Sequence, residues 1–248
     1  MLENELQKDG VYVRKLTITE ELADENGYAT VLSIATAMQE AAGDQLVDLG
    51  IGFDVTSAKG LLWIVVWSVF QFSRFPKTGE TVTLYTWPGT KMHWFYPRRA
   101  YVFDAEGKEL AHAAYMWMLM DATKRSVTED KGMLGPLPKV SVEGECKVPP
   151  MKIDFPADLK SHGRRTVDAC EVDENNHLNN AHYLNWAADI AKASGFRMHE
   201  LKTLWINYKK EILPEETVEL LCERDKDTLY VAGAGTKEQH FIAKLDFA

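Results

Sequence analysis

Asp173, Asn175 and His177 alternate within five residues, just ahead of an Ala-rich apolar segment. An imidazole and a carboxylate are an acid–base set that works near neutral pH, and Asn adds donors for an oxygen that gains negative charge. Asn and Asp also favour turns and helix N-caps, so a plain capped loop accounts for the Asn residues and Asp173. It does not account for His177. The pattern predicts a loop ending at a cap on Asn179 and a helix from about Asn180 to Ser194. The free N–H groups and positive dipole end of that helix would face a reacting oxygen.

The elements that must hold these residues belong to a globular chain. Its 248 residues are 46% hydrophobic, enough for one large core or two of ordinary size. The longest apolar run, Leu61 to Phe70, is too short to span a bilayer as a helix and is rich in strand formers, which predicts a buried strand. The N-terminus has neither the basic head nor the apolar stretch of a signal peptide, so the expectation is a cytoplasmic protein without a membrane span. Cys146, Cys170 and Cys222 are odd in number and widely spaced, which fits free thiols and neither a disulfide framework nor a zinc site. Likewise His112, His182, His199 and His240 have no partner at metal spacing, and no metal or other cofactor is expected. A net charge of −9 and a pI near 5.3 argue against nucleic acid as a partner.

Read in order, Val11 to Ile18 predicts a strand, and Val31 to Leu49 a helix with Thr30 as N-cap and Gly50 as stop. Strands follow over Leu61 to Phe72, Thr81 to Trp87, Arg98 to Phe103 and Leu110 to Met120. Trp63, Trp67, Trp87 and Trp117 on these strands are core residues first, and some could line a tunnel. Five of the nine prolines fall between Gly132 and Gly163, which marks a linker. Beyond it the first half begins again. Arg165 to Cys170 reads as a strand, with Cys170 a small half-buried thiol on it rather than a nucleophile. Asp173-Glu-Asn-Asn-His-Leu-Asn aligns with Asp24-Glu-Asn-Gly-Tyr-Ala-Thr at an offset of 149, and a segment near Pro214 aligns with one near Pro76 at 136 to 138. The second helix, with Ala181, Leu184, Ala187, Ala188 and Ala191 on one side and Tyr183, Trp186 and Ile190 around it, is apolar nearly all round. It should be enclosed by its own sheet and the sheet of the other half. The fold class is α+β: two tandem hotdog modules, each an antiparallel sheet wrapped around a long central helix. The expected boundaries are 1–131 for the first, 132–163 for the linker and 164–248 for the second.

Asp173-x-Asn175-x-His177-x-Asn179-Asn180, followed by Tyr208-Lys209-Lys210-Glu211, resembles the acyl-acyl carrier protein thioesterases of plants and bacteria, which are tandem hotdog proteins. Gln39-Glu40-Ala41-Ala42, Leu62-Trp63-Ile64-Val65, Pro76-x-x-Gly79-Glu80-Thr81-Val82 and Thr86-Trp87 occur in the order that family shows. The resemblance spans about Val11 to Leu221. A long N-terminal transit segment of the plant members is not seen, which suggests a bacterial-type member. Ile212 stands after Glu211, where plant members carry a Cys once proposed as nucleophile, so a covalent cysteine route is not expected.

The resemblance implies thioester hydrolysis in fatty acid biosynthesis, releasing a free fatty acid, with acyl carrier protein bearing a phosphopantetheine-linked acyl chain as partner. It carries over Asp173, Asn175, His177 and Glu211 as catalytic residues. Glu211 is the first choice of general base, with His177 on it or on the water, Asp173 orienting the pair, and Asn175 with helix amides on the thioester oxygen. His177 and Glu211 could exchange their parts, and strand alternation places Glu211 on the face of Trp205 and Asn207 unless a bulge at the Lys pair re-aims it. A strand-end ion pair of Glu211 with Lys209 or Lys210 is the plain alternative. In the first half Tyr28 stands opposite His177 and Ser73 opposite Glu211, so one active site is expected, with the first half holding the acyl chain. Carrier docking would fall to a local patch, Arg164 and Arg165 before the site and Lys209 and Lys210 beside it, with Lys160 and His162 near; solvated charges on a strand edge read equally well. Other readings are an acyl-CoA thioesterase, a hotdog hydratase, or a non-enzymatic acyl-thioester sensor. A homodimer stays open.

Overall fold

The computed structural model describes residues 5–7, 10–130, 132, 134–135, 152–154, 156, 158–235 and 238–248. Most of the expected linker, including Cys146 and four of its five prolines, lies outside them. The first half contributes β1 (Glu5–Leu6), β2 (Tyr12–Thr17), α1 (Val31–Asp48), α2 (Phe53–Ala58), β3 (Leu61–Phe72), β4 (Thr81–Pro88), β5 (Tyr96–Phe103), β6 (Glu109–Asp121) and β7 (Ser126–Thr128). The second contributes β8 (Lys160–Thr166), α3 (Asn180–Ala193), β9 (Leu201–Tyr208), β10 (Thr217–Asp225), β11 (Thr228–Ala234) and β12 (Gln239–Phe247).

All pairings are antiparallel, and the halves share one sheet, with strand order β1-β2-β4-β5-β6-β3-β9-β12-β11-β10-β8 and β7 on β6. Counted outward from the seam, β3-β6-β5-β4-β2 matches β9-β12-β11-β10-β8, so the sequence repeat is a repeat of topology. The seam itself is a short ladder, Trp67 to Gln71 against Asn207 to Thr203. Two long helices lie against this sheet. Thr30 Oγ1 accepts from Ser33 N at 3.0 Å to start α1, and Asn179 Oδ1 accepts from Ala181 N at 2.9 Å to start α3. Each cap satisfies a helix N–H that would otherwise be orphaned, worth about 1 kcal/mol.

One core runs through both halves, from Met38 and Phe70 to Trp186 and Phe241. The expectation for α3 needs amending here. Its buried face rests on β11 and β12 of its own half, and its other neighbour is α1, not the opposite sheet. Small residues explain the choice, because Ala37 and Ala41 on α1 and Ala187, Ala188 and Ala191 on α3 are all buried and allow two helices to approach closely.

The predicted strand over Arg165 to Cys170 is also corrected. β8 starts earlier, inside the expected linker, and ends at Thr166; Ala169–Glu171 is a 3-10 turn. Asp168 caps that turn, its own N–H donating to Glu171 Oε2 at 3.1 Å, which draws the chain out of the sheet. Cys170 is therefore an exposed thiol on a turn, not a half-buried one on a strand. No helix among the described residues is long and apolar enough to cross a membrane.

Candidate active site

Two loops of identical construction precede α1 and α3. Asp173 Oδ1 accepts from the N–H groups of Asn175 at 2.9 Å and His177 at 3.3 Å; Asp24 Oδ1 accepts from Asn26 at 2.9 Å and Tyr28 at 3.0 Å. The fourth residue of each, Asn176 and Gly27, has positive φ, 60° and 76°. Asn and Gly are the residues that tolerate that region. Asp173 thus orients by folding the backbone that carries Asn175 and His177. Its Oδ1 is spent on N–H groups, and it makes no hydrogen bond to the His177 ring.

His177 Nε2 lies 3.5 Å from Glu211 Oε2. The two are separate in sequence, and a bulge joins them. Lys209 N and Lys210 N both donate to the His240 carbonyl, at 2.8 and 3.1 Å, so β9 ends at Tyr208 and strand alternation no longer governs Glu211. The buried His240 also holds the Glu211 carbonyl through Nδ1 at 3.1 Å, with its Nε2 3.3 Å from Glu216. Next to it, Tyr183 OH accepts from Ile212 N at 3.1 Å, and Ile212 O accepts from Leu178 N at 2.8 Å, tying the Glu211 segment to the His177 loop. The lysines beside Glu211 turn elsewhere, Lys209 to Gln239 and Lys210 to Glu238.

Its actual cation is Arg125, which sequence reasoning missed. Arg125 reaches from the β6–β7 turn of the first half and donates to Glu211 Oε2, the oxygen that also faces His177. Asp121 builds that turn, Oδ1 accepting from Thr123 N at 3.0 Å and Lys124 N at 2.8 Å. The Lys124 N–H first, with Thr123 and the Lys124 charge, holds the Asp121 carboxyl below its ordinary value. Arg125 itself takes φ 52°, a left-handed conformation costing roughly 1–2 kcal/mol for an L-residue. Glu211 Oε1 has no partner among the described residues, which leaves it for a water.

A cavity of about 530 Å³ opens from this loop into the first half. Asp173, Asn175 and Asn180 line one part, and most of the remaining wall comes from α1 and the first-half strands, including Gly43, Leu46, Trp63 and Trp117. Asn175's side chain makes no hydrogen bond with the described residues, and of the first-turn N–H groups of α3 the cap leaves that of Asn180 open.

The first-half loop carries Tyr28 where His177 stands, stacked on His199 with centroids 4.5 Å apart. Its partner position needs a correction. Ala29 N donates to Pro76 O as Leu178 N does to Ile212 O, and Ile18 N to Glu80 O as Val167 N does to Glu216 O. The offset is 136 in both, so Phe75, not Ser73, stands opposite Glu211. Phe75 is buried and stacked on Phe72.

Arg165 is occupied internally. It donates to Asp189 at 2.7 Å and Glu171 at 2.8 Å and lies 4.9 Å from the Trp186 ring, whose Nε1 also donates to Glu171 at 2.9 Å. Arg164 is exposed on β8. Among the described residues no group of three or more His, Cys, Asp or Glu is placed to hold a metal ion.

A tandem hotdog in which His177 meets Glu211, with Asp173 and Asn175 of the His177 loop lining a cavity, is the class that fold and geometry define. The chain belongs to the acyl-ACP thioesterase family: residues 9–130 match the model of the acyl-ACP thioesterase N-terminal domain and residues 158–245 that of the C-terminal domain. It is 25% identical over 236 residues to the chloroplastic oleoyl-acyl carrier protein thioesterase of Coriandrum sativum, covering 85% of this chain and 62% of that protein. Against the chloroplastic dodecanoyl-[acyl-carrier-protein] hydrolase of Cinnamomum camphora identity is 25% over 205 residues, 77% of this chain and 54% of the relative. The chain thus spans somewhat over half the length of these curated relatives. The fold is that of 12:0-ACP thioesterase from Umbellularia californica, with TM-score 0.84, 20% identity and coverage of 98% of this chain and 99% of that one. It is also that of an acyl-ACP thioesterase from Bacteroides thetaiotaomicron, with TM-score 0.80, 17% identity, 96% of this chain and 98% of the other.

Proposed function

We propose that the chain hydrolyses fatty acyl-acyl carrier protein to free fatty acid and carrier protein. The observation that carries the reading is His177 against Glu211 at 3.5 Å, with Asn175 from the same loop lining a cavity open to solvent on one side. Glu211 Oε1 takes a proton from a water that attacks the thioester carbonyl carbon. The oxygen that becomes negative is met by the Asn175 amide and the Asn180 N–H. On collapse the C–S bond breaks, and the proton passes from the Glu211–His177 pair to the departing thiolate. Arg125 and His177 hold the base from opposite halves while the Asp173 carboxylate, accepting from the Asn175 and His177 N–H groups, folds the loop. Every residue named comes from one chain, so the chemistry requires no second copy.

The first half is the acyl holder in this reading, supported by its share of the cavity wall and by Tyr28 and Phe75, neither of which accepts a proton at neutral pH. The test is hydrolysis of a ladder of acyl thioesters on carrier protein and on CoA, expected to favour the carrier. Turnover of CoA esters alone would replace carrier protein as substrate. Docking rests on fewer cations than the sequence offers, because Arg165 is committed within the fold. Charge reversal at Arg164 and Lys209 should raise KM for carrier-bound substrate several-fold more than for acyl-CoA. Equal changes on both would remove the patch from docking.

A further inference from the structure

The cavity is not lined like a slot for plain hydrocarbon. Arg98, on β5, forms part of its wall and is only 7% exposed. Its Nη1 donates to Gln45 Oε1 at 2.6 Å and to Thr86 Oγ1 at 3.1 Å, both neutral acceptors. Gln45 is itself buried and held by the Gly10 carbonyl at 2.6 Å, so it is not available to move with a ligand. Among the described residues no carboxylate pairs with Arg98, and its Nε and Nη2 have no partner. Burial pulls the guanidinium down to about 10, which still leaves it charged at neutral pH. Such a cation, taken out of water without a counter-charge, is an expensive thing to keep in a wall that only has to meet methylene groups.

Trp63 on β3 and Trp117 on β6 stand in the same wall, where Arg98 Nε and Nη2 are donors without an acceptor among the described residues. The group that would satisfy them is an acceptor.

We infer that the cavity takes acyl chains bearing an oxygen function, a hydroxyl, oxo or carboxylate group, and that Arg98 is the residue that selects them. This rests on the reading of the cavity as the acyl site. A site built to hydrogen-bond a substrate oxygen discriminates against the chain that lacks it, because its donors are then left unpaired.

The test compares thioesters of one chain length on carrier protein: unsubstituted, 3-hydroxy, terminally hydroxylated and terminally carboxylated. In the wild-type protein at least one oxygenated chain should exceed the unsubstituted one in kcat/KM by roughly tenfold, the scale of one charge-assisted hydrogen bond. Arg98→Met should bring that ratio close to one, and Arg98→Lys, which keeps the charge without the fork, should leave it in between. A wild-type protein that prefers the unsubstituted chain, or a ratio unmoved by Arg98→Met, overturns the inference. Should Arg98→Met fail to fold, the wild-type ratio and Arg98→Lys decide. Calorimetric binding of the corresponding carrier-protein conjugates with the thioester replaced by a non-hydrolysable amide reads the same preference without turnover. If no thioester is hydrolysed, the hydrolase reading falls, and the inference stands or falls on that binding ratio alone.

Discussion

Glu211 Oε2 is approached by His177 from its own half and by Arg125 from the other, so substitutions at three positions act on one atom. Glu211→Gln keeps the shape and removes the proton acceptor; it should lower kcat by about a hundredfold or more, and His177→Ala likewise. Near-normal turnover in either, measured with a melting temperature close to wild type, would take that residue out of the mechanism. Arg125→Met should lower kcat about tenfold or more by letting the carboxylate drift, with little change in stability because both partners are part-exposed. How much of this was legible in the sequence differs sharply by residue. Asp173, Asn175 and His177 announce themselves because an Asx-shaped loop is a local device whose residues are adjacent in the chain. Arg125 could not be read, since it meets Glu211 across 86 positions and only after a left-handed turn has aimed it. The direction of Glu211 was equally hidden, because the bulge is made by one distant carbonyl, that of His240.

At the scale of elements, the two cap loops are one device put to two uses. Asp24→Ala should destabilise the protein by about 1 kcal/mol and leave the chemical step almost untouched, whereas Asp173→Ala should lower kcat as well, because the same backbone carries His177. Denaturant midpoints beside single-turnover rates separate the two. Equal losses of rate would mean that the first-half loop also serves catalysis. Gly43 offers a different lever. It sits inside α1, lines the cavity, and a Cβ built on it would meet nothing within 4 Å. Glycine in a helix interior costs about 1 kcal/mol relative to alanine, so Gly43→Ala should stabilise the protein by up to that amount. Gly43→Leu should fold too, and shift the released acid towards shorter chains as the side chain takes cavity space; an unchanged product profile would place the acyl chain elsewhere. The helices and most strands were readable because their periodicity is intrinsic, as Val31 to Leu49 against Val31–Asp48 illustrates. The strand predicted over Arg165 to Cys170 was not, because the capping of Asp168 overrides the β-branched and apolar content of that run.

At the scale of the whole molecule, acid stability hangs on a carboxylate that bridges β8 and α3. Glu171 is 5% exposed in its side chain and meets Arg165, Trp186 and the Asp168 N–H. Burial alone would raise its carboxyl, but the Trp186 and Asp168 hydrogen bonds and the Arg165 and His182 charges outweigh it and hold the group below its ordinary value. The stabilisation is therefore complete above the unfolded carboxyl's range, about 4.3, and is lost as pH falls through the folded value. Urea midpoints should drop more steeply below about pH 5 in the wild type than in Glu171→Gln, which has no such proton to gain. Parallel pH profiles would assign acid sensitivity to other groups. The seam between β3 and β9 has its own consequence. Each half ends in a strand whose hydrogen-bonding edge is covered only by the other, and on β3 that edge carries Trp67, Val69 and Phe70. Severed from its neighbour, either half would expose an apolar template for strand addition, and the nearest matching edge in solution would be another copy of the same fragment. The half that carries His177 and Glu211 thus depends on the other half to cover its strand edge and keep it from self-association.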